Sequence, residues 1–268
     1  ALSFIKEKKN KEMPFFIVIW DGSPHSPFIA DDEDNIDFKN LDERSKNHYG
    51  ELVAFDNSLG DFRKGLQDLG ISNNTILWFN SDNGGLGKKQ NISPSTVGGL
   101  KGQKGDIWEG GIRVPAIIEW PALIKQNKIT KYPASTMDIF PTILEMLGVE
   151  NIKDRIMDGV SLKNTLYHGK PSKREKIFYY RSREIYAVRH KQYKVHYITQ
   201  GVYNYPPGSN KKIILKEPLL YNLDVDPSER YNIADENPDI LRQIKTIVDE
   251  HKKNLDPPDD LLQYRESD

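Results

Sequence analysis

The 268-residue sequence contains no cysteine. That absence excludes disulfide bridges, thiolate metal sites and a cysteine nucleophile within it. It leaves the compartment open, because oxidising and reducing settings both tolerate a cysteine-free chain. Neither sign of charge is in excess: 38 basic residues stand against 39 acidic ones, a formal net charge of -1. There is therefore no basic field to favour nucleic acid or an anionic membrane surface, and neither is expected as a partner. No apolar run approaches the roughly 18 residues that a membrane-spanning helix needs, and no amino-terminal signal pattern is present. What is there is 37% hydrophobic and 29% charged, a balance that can bury a sizeable core in one large domain or one and a half.

Along the chain the pattern reads β, then α, then β. Residues 1–11 (ALSFIKEKKNK) resemble the tail of an amphipathic helix, so the chain is expected to start inside a domain. Residues 15–20 (FFIVIW) form a continuous apolar run of the kind parallel strands show when both faces are covered. Leu52, Phe55, Leu59, Phe62, Leu66 and Leu69 then recur at spacings of three and four, a helical stripe stopped by Gly70. Residues 75–79 (TILWF) read as a second buried strand, so a right-handed βαβ unit with two parallel strands is expected. Ligands of such open sheets bind beyond the carboxyl ends of the strands. His25, after the first strand, and Asp82 and Asn83, after the second, are thus expected at one rim.

A glycine-rich loop follows, with glycines at 98, 99, 102, 105, 110 and 111 that let backbone approach a ligand, and with Lys101 and Lys104 as point charges for an anion. Its spacing is neither that of a P-loop nor that of a dinucleotide loop. Residues 114–120 read as a third strand, and residues 138–147 as a helix that tolerates Pro141 only in its first turn and is closed by Gly148. Beyond about residue 150 the runs 177–180, 186–190, 193–198, 213–215 and 219–222 are short, aromatic and β-branched, as in an antiparallel sheet. Asn237 and Pro238 open a last helix that buries Leu241, Ile244, Ile247 and Val248. Residues 31–46, 201–212 and the acidic tail from 256 read as loose segments, and no internal repeat is present.

Four stretches in order, SDNGG at 81–85, GGLKGQKGDIWEGGIRVPAIIEWP at 98–121, PASTMDIFPTILEMLG at 133–148 and LLYNLDVDPSERYNI at 219–233, resemble successive landmarks of the type I sulfatases of the alkaline-phosphatase-like superfamily. YKVHYITQG at 193–201 is similar to the arylsulfatase A and galactosamine-6-sulfatase branch. The resemblance covers nearly the whole chain but corresponds to the carboxyl-terminal half or so of such an enzyme. It implies an α/β fold, part of a mixed sheet flanked by helices over residues 1–170. A smaller α+β subdomain with an antiparallel sheet and a carboxyl-terminal helix is expected over residues 171–268.

The resemblance also implies roles. Asp82 and Asn83 match the family's calcium ligands, and oxygen-only donors suit that hard cation. Lys104 matches the lysine that contacts the sulfate, and His25 the histidine beside it, placed to neutralise charge and protonate the leaving oxygen. His196 is either a substrate contact or a satisfied structural histidine. Lys101 reads as a loop stabiliser, while Glu109 and Asp138 are expected to fix the loop and a helix start. Type I sulfatases attack with a formylglycine made in a Cys/Ser-x-Pro/Ala-x-Arg motif, and two further aspartates complete the metal shell. No such motif occurs here, so nucleophile and aspartates are expected upstream, in a missing amino-terminal half. The implied substrate is a sulfated carbohydrate or an aryl sulfate, and the family implies export to a periplasm or the exterior.

Duller readings stand beside these. Asp-Asn-Gly-Gly is commonly a plain turn, a histidine before Ser-Pro is commonly surface loop, and a lone lysine is commonly solvated. Phosphoesterases of the same superfamily often carry histidine where Asn83 stands, since zinc prefers imidazole. A non-catalytic carbohydrate-binding relative is the third class.

Overall fold

The computed structural model describes residues 1–87, 94–150, 153–154, 156–200 and 212–255. The expected loose segment 201–212, apart from Lys212, and the acidic tail from 256 lie outside the described residues. Helix α1 (Leu2–Asn10) buries Ile5, and α2 (Glu43–Asp68) is the long helix announced by the leucine and phenylalanine stripe. It begins at Glu43, well before Leu52 where the stripe starts, because Asp42 accepts a hydrogen bond from the Ser45 N–H and caps it. Part of the segment expected to be loose is therefore ordered: residues 36–38 form a single 3₁₀ turn and the helix starts at Glu43.

Strand β1 (Leu77–Asn80) pairs with β2 (Ala116–Glu119) in an antiparallel ladder, Leu77 opposite Glu119 and Asn80 opposite Ala116. Between them lies the short helix α3 (Glu109–Ile112). The expectation of a strand over residues 15–20 and of a parallel βαβ unit is overturned: the segment has no ladder partner, and no parallel pair occurs among the described residues. Phe16, Val18, Ile19 and Trp20 are exposed, Trp20 at 93%. A strand exists only through the hydrogen bonds of its neighbours, and within the described residues this run has none. Leu52 of the α2 stripe and Ile117 of β2 are likewise exposed.

Helix α4 (Ile139–Leu147) follows a 3₁₀ turn at Thr136–Asp138, carries Pro141 in its first turn and ends at Gly148 in the left-handed region. Helix α5 (Lys163–His168) leads to the second sheet. This is the antiparallel meander β3 (Lys176–Arg181), β4 (Glu184–His190), β5 (Tyr193–Gln200) and β6 (Lys212–Asn222), in that order. The two runs expected at 213–215 and 219–222 merge into the single strand β6, with an irregularity opposite it between His196 and Ile198. Helix α6 (Pro238–Lys253) lays Ile244 and Val248 on one face of this sheet, against Ile185, Val188, Val195 and Leu220. The carboxyl-terminal core lies there. The opposite face holds a smaller cluster of Trp108, Tyr221 and Leu223, so the glycine-rich loop covers the sheet from the other side. No helix among the described residues is long and apolar enough to cross a membrane.

Candidate active site

Strand β1 delivers Asp82 and Asn83 to its carboxyl end. Ser81 holds the turn, its N–H donating to the Pro115 carbonyl at 3.3 Å and its hydroxyl to the Asn83 carbonyl at 3.0 Å. Asn83 Nδ2 donates to the Gly84 carbonyl at 3.1 Å, and no described hydrogen bond engages its Oδ1. Asp82 is exposed, and no described hydrogen bond or ion pair engages its carboxylate. Two hard oxygen donors side by side fit a calcium ion. Among the described residues, no three or more histidine, aspartate or glutamate side chains gather into a metal-binding group.

The glycine-rich loop is fused to this turn through backbone. Gly84 N–H donates to the Gly111 carbonyl at 2.9 Å, Lys104 N–H to the Gly85 carbonyl at 2.7 Å, and Gly110 N–H to the Lys101 carbonyl at 2.7 Å. A Cβ at Gly84 would overlap the Gly110 carbonyl, so only glycine permits this contact. Asp82, Asn83 and Lys104 thereby belong to one hydrogen-bonded unit. Lys104 is half-buried, and its ammonium group makes no described ion pair.

His25 stands apart. It is exposed in the 21–28 segment, where the Ser23–Pro24 and Ser26–Pro27 peptide bonds are cis. Its Nδ1 donates to the Ser26 carbonyl at 2.9 Å, so Nε2 is the nitrogen left for proton transfer. No described hydrogen bond or ion pair joins it to Asp82, Asn83 or Lys104.

Beneath the loop lies a buried polar hub. Lys194, fully buried on β5, donates to the Ile107 carbonyl at 2.8 Å and to Glu109 at 2.9 Å, and lies 3.0 Å from Glu229. Glu229 accepts from the Glu109 N–H at 2.6 Å and from His196 Nε2 at 2.6 Å. His196 is 1% exposed and stacks on Trp108 with ring centroids 4.0 Å apart. Lys101 lies over the Trp108 ring at 3.7 Å and donates to the Glu229 carbonyl at 3.3 Å. Two buried carboxylates and one buried ammonium at these distances offset one another, where any one alone would be costly.

Residues 1–149 match the family model described as sulfatase, and residues 172–267 match that described as the C-terminal region of aryl-sulfatase. The chain belongs to the sulfatase family. It is 34% identical over 282 residues to N-acetylgalactosamine-6-sulfatase of Canis lupus familiaris, covering 96% of this chain and 52% of the relative. It is 30% identical over 285 residues to human arylsulfatase D, covering 96% and 46%. In fold it is similar to the crystal structure of the PsFucS1 sulfatase from Pseudoalteromonas sp., with a TM-score of 0.79 at 22% identity over 95% of this chain and 52% of that one. The chain spans about half the length of the curated relatives it matches.

Within this sulfatase chain the expected structural roles of Lys101, Glu109 and Asp138 have concrete partners. Lys101 and Glu109 join the hub, and Asp138 forms a capping box with Ser135. Of the two readings of His196, the structural one has a partner in Glu229. Lys194, Gln200 and Glu229 were not singled out from sequence. For Lys194 the mark is its alternation with His196 on one face of β5, towards the loop, while Val195 and Tyr197 face α6.

The hub gives stability a pH dependence. Burial pushes the pKa of His196 down to about 4, against the opposing hydrogen bond of Glu229. Burial would raise Glu229, but His196 and Lys194 outweigh it and hold the carboxyl below its ordinary value. An unfolded chain protonates this histidine near 6.5, so between that pH and about 4 the unfolded state binds more protons. Stability should be complete above pH 6.5 and decline towards 4. In urea unfolding of the intact enzyme, His196→Gln should shallow that decline; an unchanged slope would assign it to other groups.

Proposed function

We propose that this chain forms part of a sulfuric ester hydrolase that acts on sulfated carbohydrates or aryl sulfates. The observation that supports this reading is the backbone fusion of the Asp82–Asn83 turn with the Lys104 loop, which holds two hard oxygen donors and an ammonium group with no described ion pair in one unit. Asp82 and Asn83 would hold calcium, which when bound supplies a fixed positive charge that orients and polarises the sulfate ester. Lys104 neutralises charge that builds on the sulfate oxygens as the sulfur–oxygen bond breaks, and His25 Nε2 gives a proton to the departing alcohol oxygen. On this reading His196 supports the loop instead of touching substrate. The family's formylglycine and its two further aspartates fall to polypeptide that this sequence does not contain. That polypeptide would also cover the exposed Phe16, Val18, Ile19, Trp20 and Ile117.

Two measurements test the reading. Calcium should raise the melting temperature of the full-length enzyme, and Asp82→Ala should abolish that rise; an equal rise in the variant would remove Asp82 from the metal site. The isolated 268-residue chain should release no sulfate from 4-nitrophenyl sulfate, and release by it alone would place the nucleophile within this sequence.

A further inference from the structure

The loop that carries Lys104 is gripped at one further point. Gln200, 9% exposed at the end of β5, donates from Nε2 to the Gly105 carbonyl at 2.6 Å. Its Oε1 accepts from the Ile107 N–H at 2.9 Å. One primary amide thus closes on the two backbone groups that follow Lys104. Gly105 has a φ of +89°, a backbone state that costs other residues dearly and that reverses the chain beside the lysine. On the other side, the Lys104 N–H is tied to the Gly85 carbonyl of the Asp82–Asn83 turn at 2.7 Å. The lysine is therefore the point where two anchors meet, one from the turn and one from the carboxyl-terminal sheet.

We infer that Gln200 is a positioning residue for Lys104: through its paired hydrogen bonds to Gly105 and Ile107 the carboxyl-terminal sheet fixes the direction in which the ammonium group meets the substrate anion. The inference rests on the reading of Lys104 given above. A side-chain amide suits this task because it supplies a donor and an acceptor in one plane, matching a carbonyl and an N–H two residues apart. An apolar side chain of similar size would fill the space, leave the Ile107 N–H without this acceptor and leave the Gly105 carbonyl only the long 3.5 Å contact from Arg181 Nη1. Such a loop would keep its place on the sheet through Lys194 and Glu229 but lose its definition near Lys104, and small misplacements of a charge-stabilising group lower turnover steeply.

The test is a double-mutant cycle in the full-length enzyme, read as kcat/KM for 4-nitrophenyl sulfate. Gln200→Met should lower kcat/KM by about 10-fold or more in the wild-type background, mainly through kcat, and by less than about 2-fold when Lys104 is already alanine. Equal factors in the two backgrounds, or no effect in either, would overturn the inference. If Gln200→Met does not fold, Gln200→Glu, which keeps the acceptor and loses the donor, replaces it in the same cycle. Failure of both to fold would assign Gln200 to stability and also overturn it. A Lys104→Ala enzyme with wild-type turnover would instead overturn the role of Lys104 itself, whatever Gln200 does.

Discussion

Lys104→Ala in the full-length enzyme should lower kcat on an aryl sulfate by about 10²- to 10³-fold while leaving the melting temperature within a few degrees of wild type. The size follows from what the side chain does and does not do in the fold. Its backbone N–H holds the Gly85 carbonyl, and any residue but proline supplies that bond. Its ammonium group makes no described ion pair, so truncation strands no buried carboxylate. A charge with no ion pair among the described residues is available to act on charge that appears only as the sulfur–oxygen bond breaks, and such interactions raise kcat instead of merely tightening substrate binding. Lys104→Arg should recover little, because a planar guanidinium does not reproduce a compact point charge. A change in KM alone, with kcat intact, would mean that Lys104 binds substrate and transition state equally, and the assignment to bond cleavage would fall.

The carboxyl-terminal sheet could be read from sequence because its information is local. Strands β3 to β6 are joined in chain order as a meander, so each aromatic or β-branched run finds its partner a turn away. Residues 15–20 carry an equally clear strand pattern and form no strand, with Trp20 93% exposed. Apolar periodicity reports the need for burial, but a ladder also requires a partner strand alongside, and no described strand pairs with this run. The same distinction explains β1 and β2. Both are legible as apolar runs, but whether they pair parallel or antiparallel depends on which edges are available, and that is not written in either run.

The site divides in the same way. Asp82, Asn83 and Lys104 could be named as candidates because the motifs that hold them resemble those of the sulfatases. The buried network that joins Lys101, Glu109 and His196 behind them was not legible, because Lys194 and His196 alternate with the apolar residues Val195 and Tyr197 along β5. That alternation ordinarily marks the solvent face of an antiparallel sheet. Here the face is covered by the glycine-rich loop, whose Trp108 stacks on His196 and whose backbone consumes the polar groups. Residues some 90 positions apart in sequence meet in this contact, and nothing local to β5 distinguishes a wet polar face from one capped by a distant loop.

A second buried hub ties the start of α4 to the segment that precedes β3, and its loss should be strongly destabilising. Asp138 is fully buried, accepts from the Ser135 N–H at 2.8 Å and the Val160 N–H at 2.7 Å, and pairs with Arg174 through both Nε and Nη2. Arg174 in turn donates to the carbonyls of Asp158 and Lys176. Asp138→Ala would remove one capping-box partner, orphan two N–H groups and leave a guanidinium that is buried without its counter-charge. Breaking a buried ion pair from one side costs about 3–5 kcal/mol, a large share of the roughly 5–15 kcal/mol that holds a typical domain folded. The expected result is a fall of about 10 °C in the melting temperature of the intact enzyme. Because most of that cost is the stranded arginine, adding Arg174→Met to Asp138→Ala should restore part of the loss instead of deepening it. If the double variant were as unstable as the sum of the two single ones, the capping bonds and not the ion pair would carry the stability of this junction.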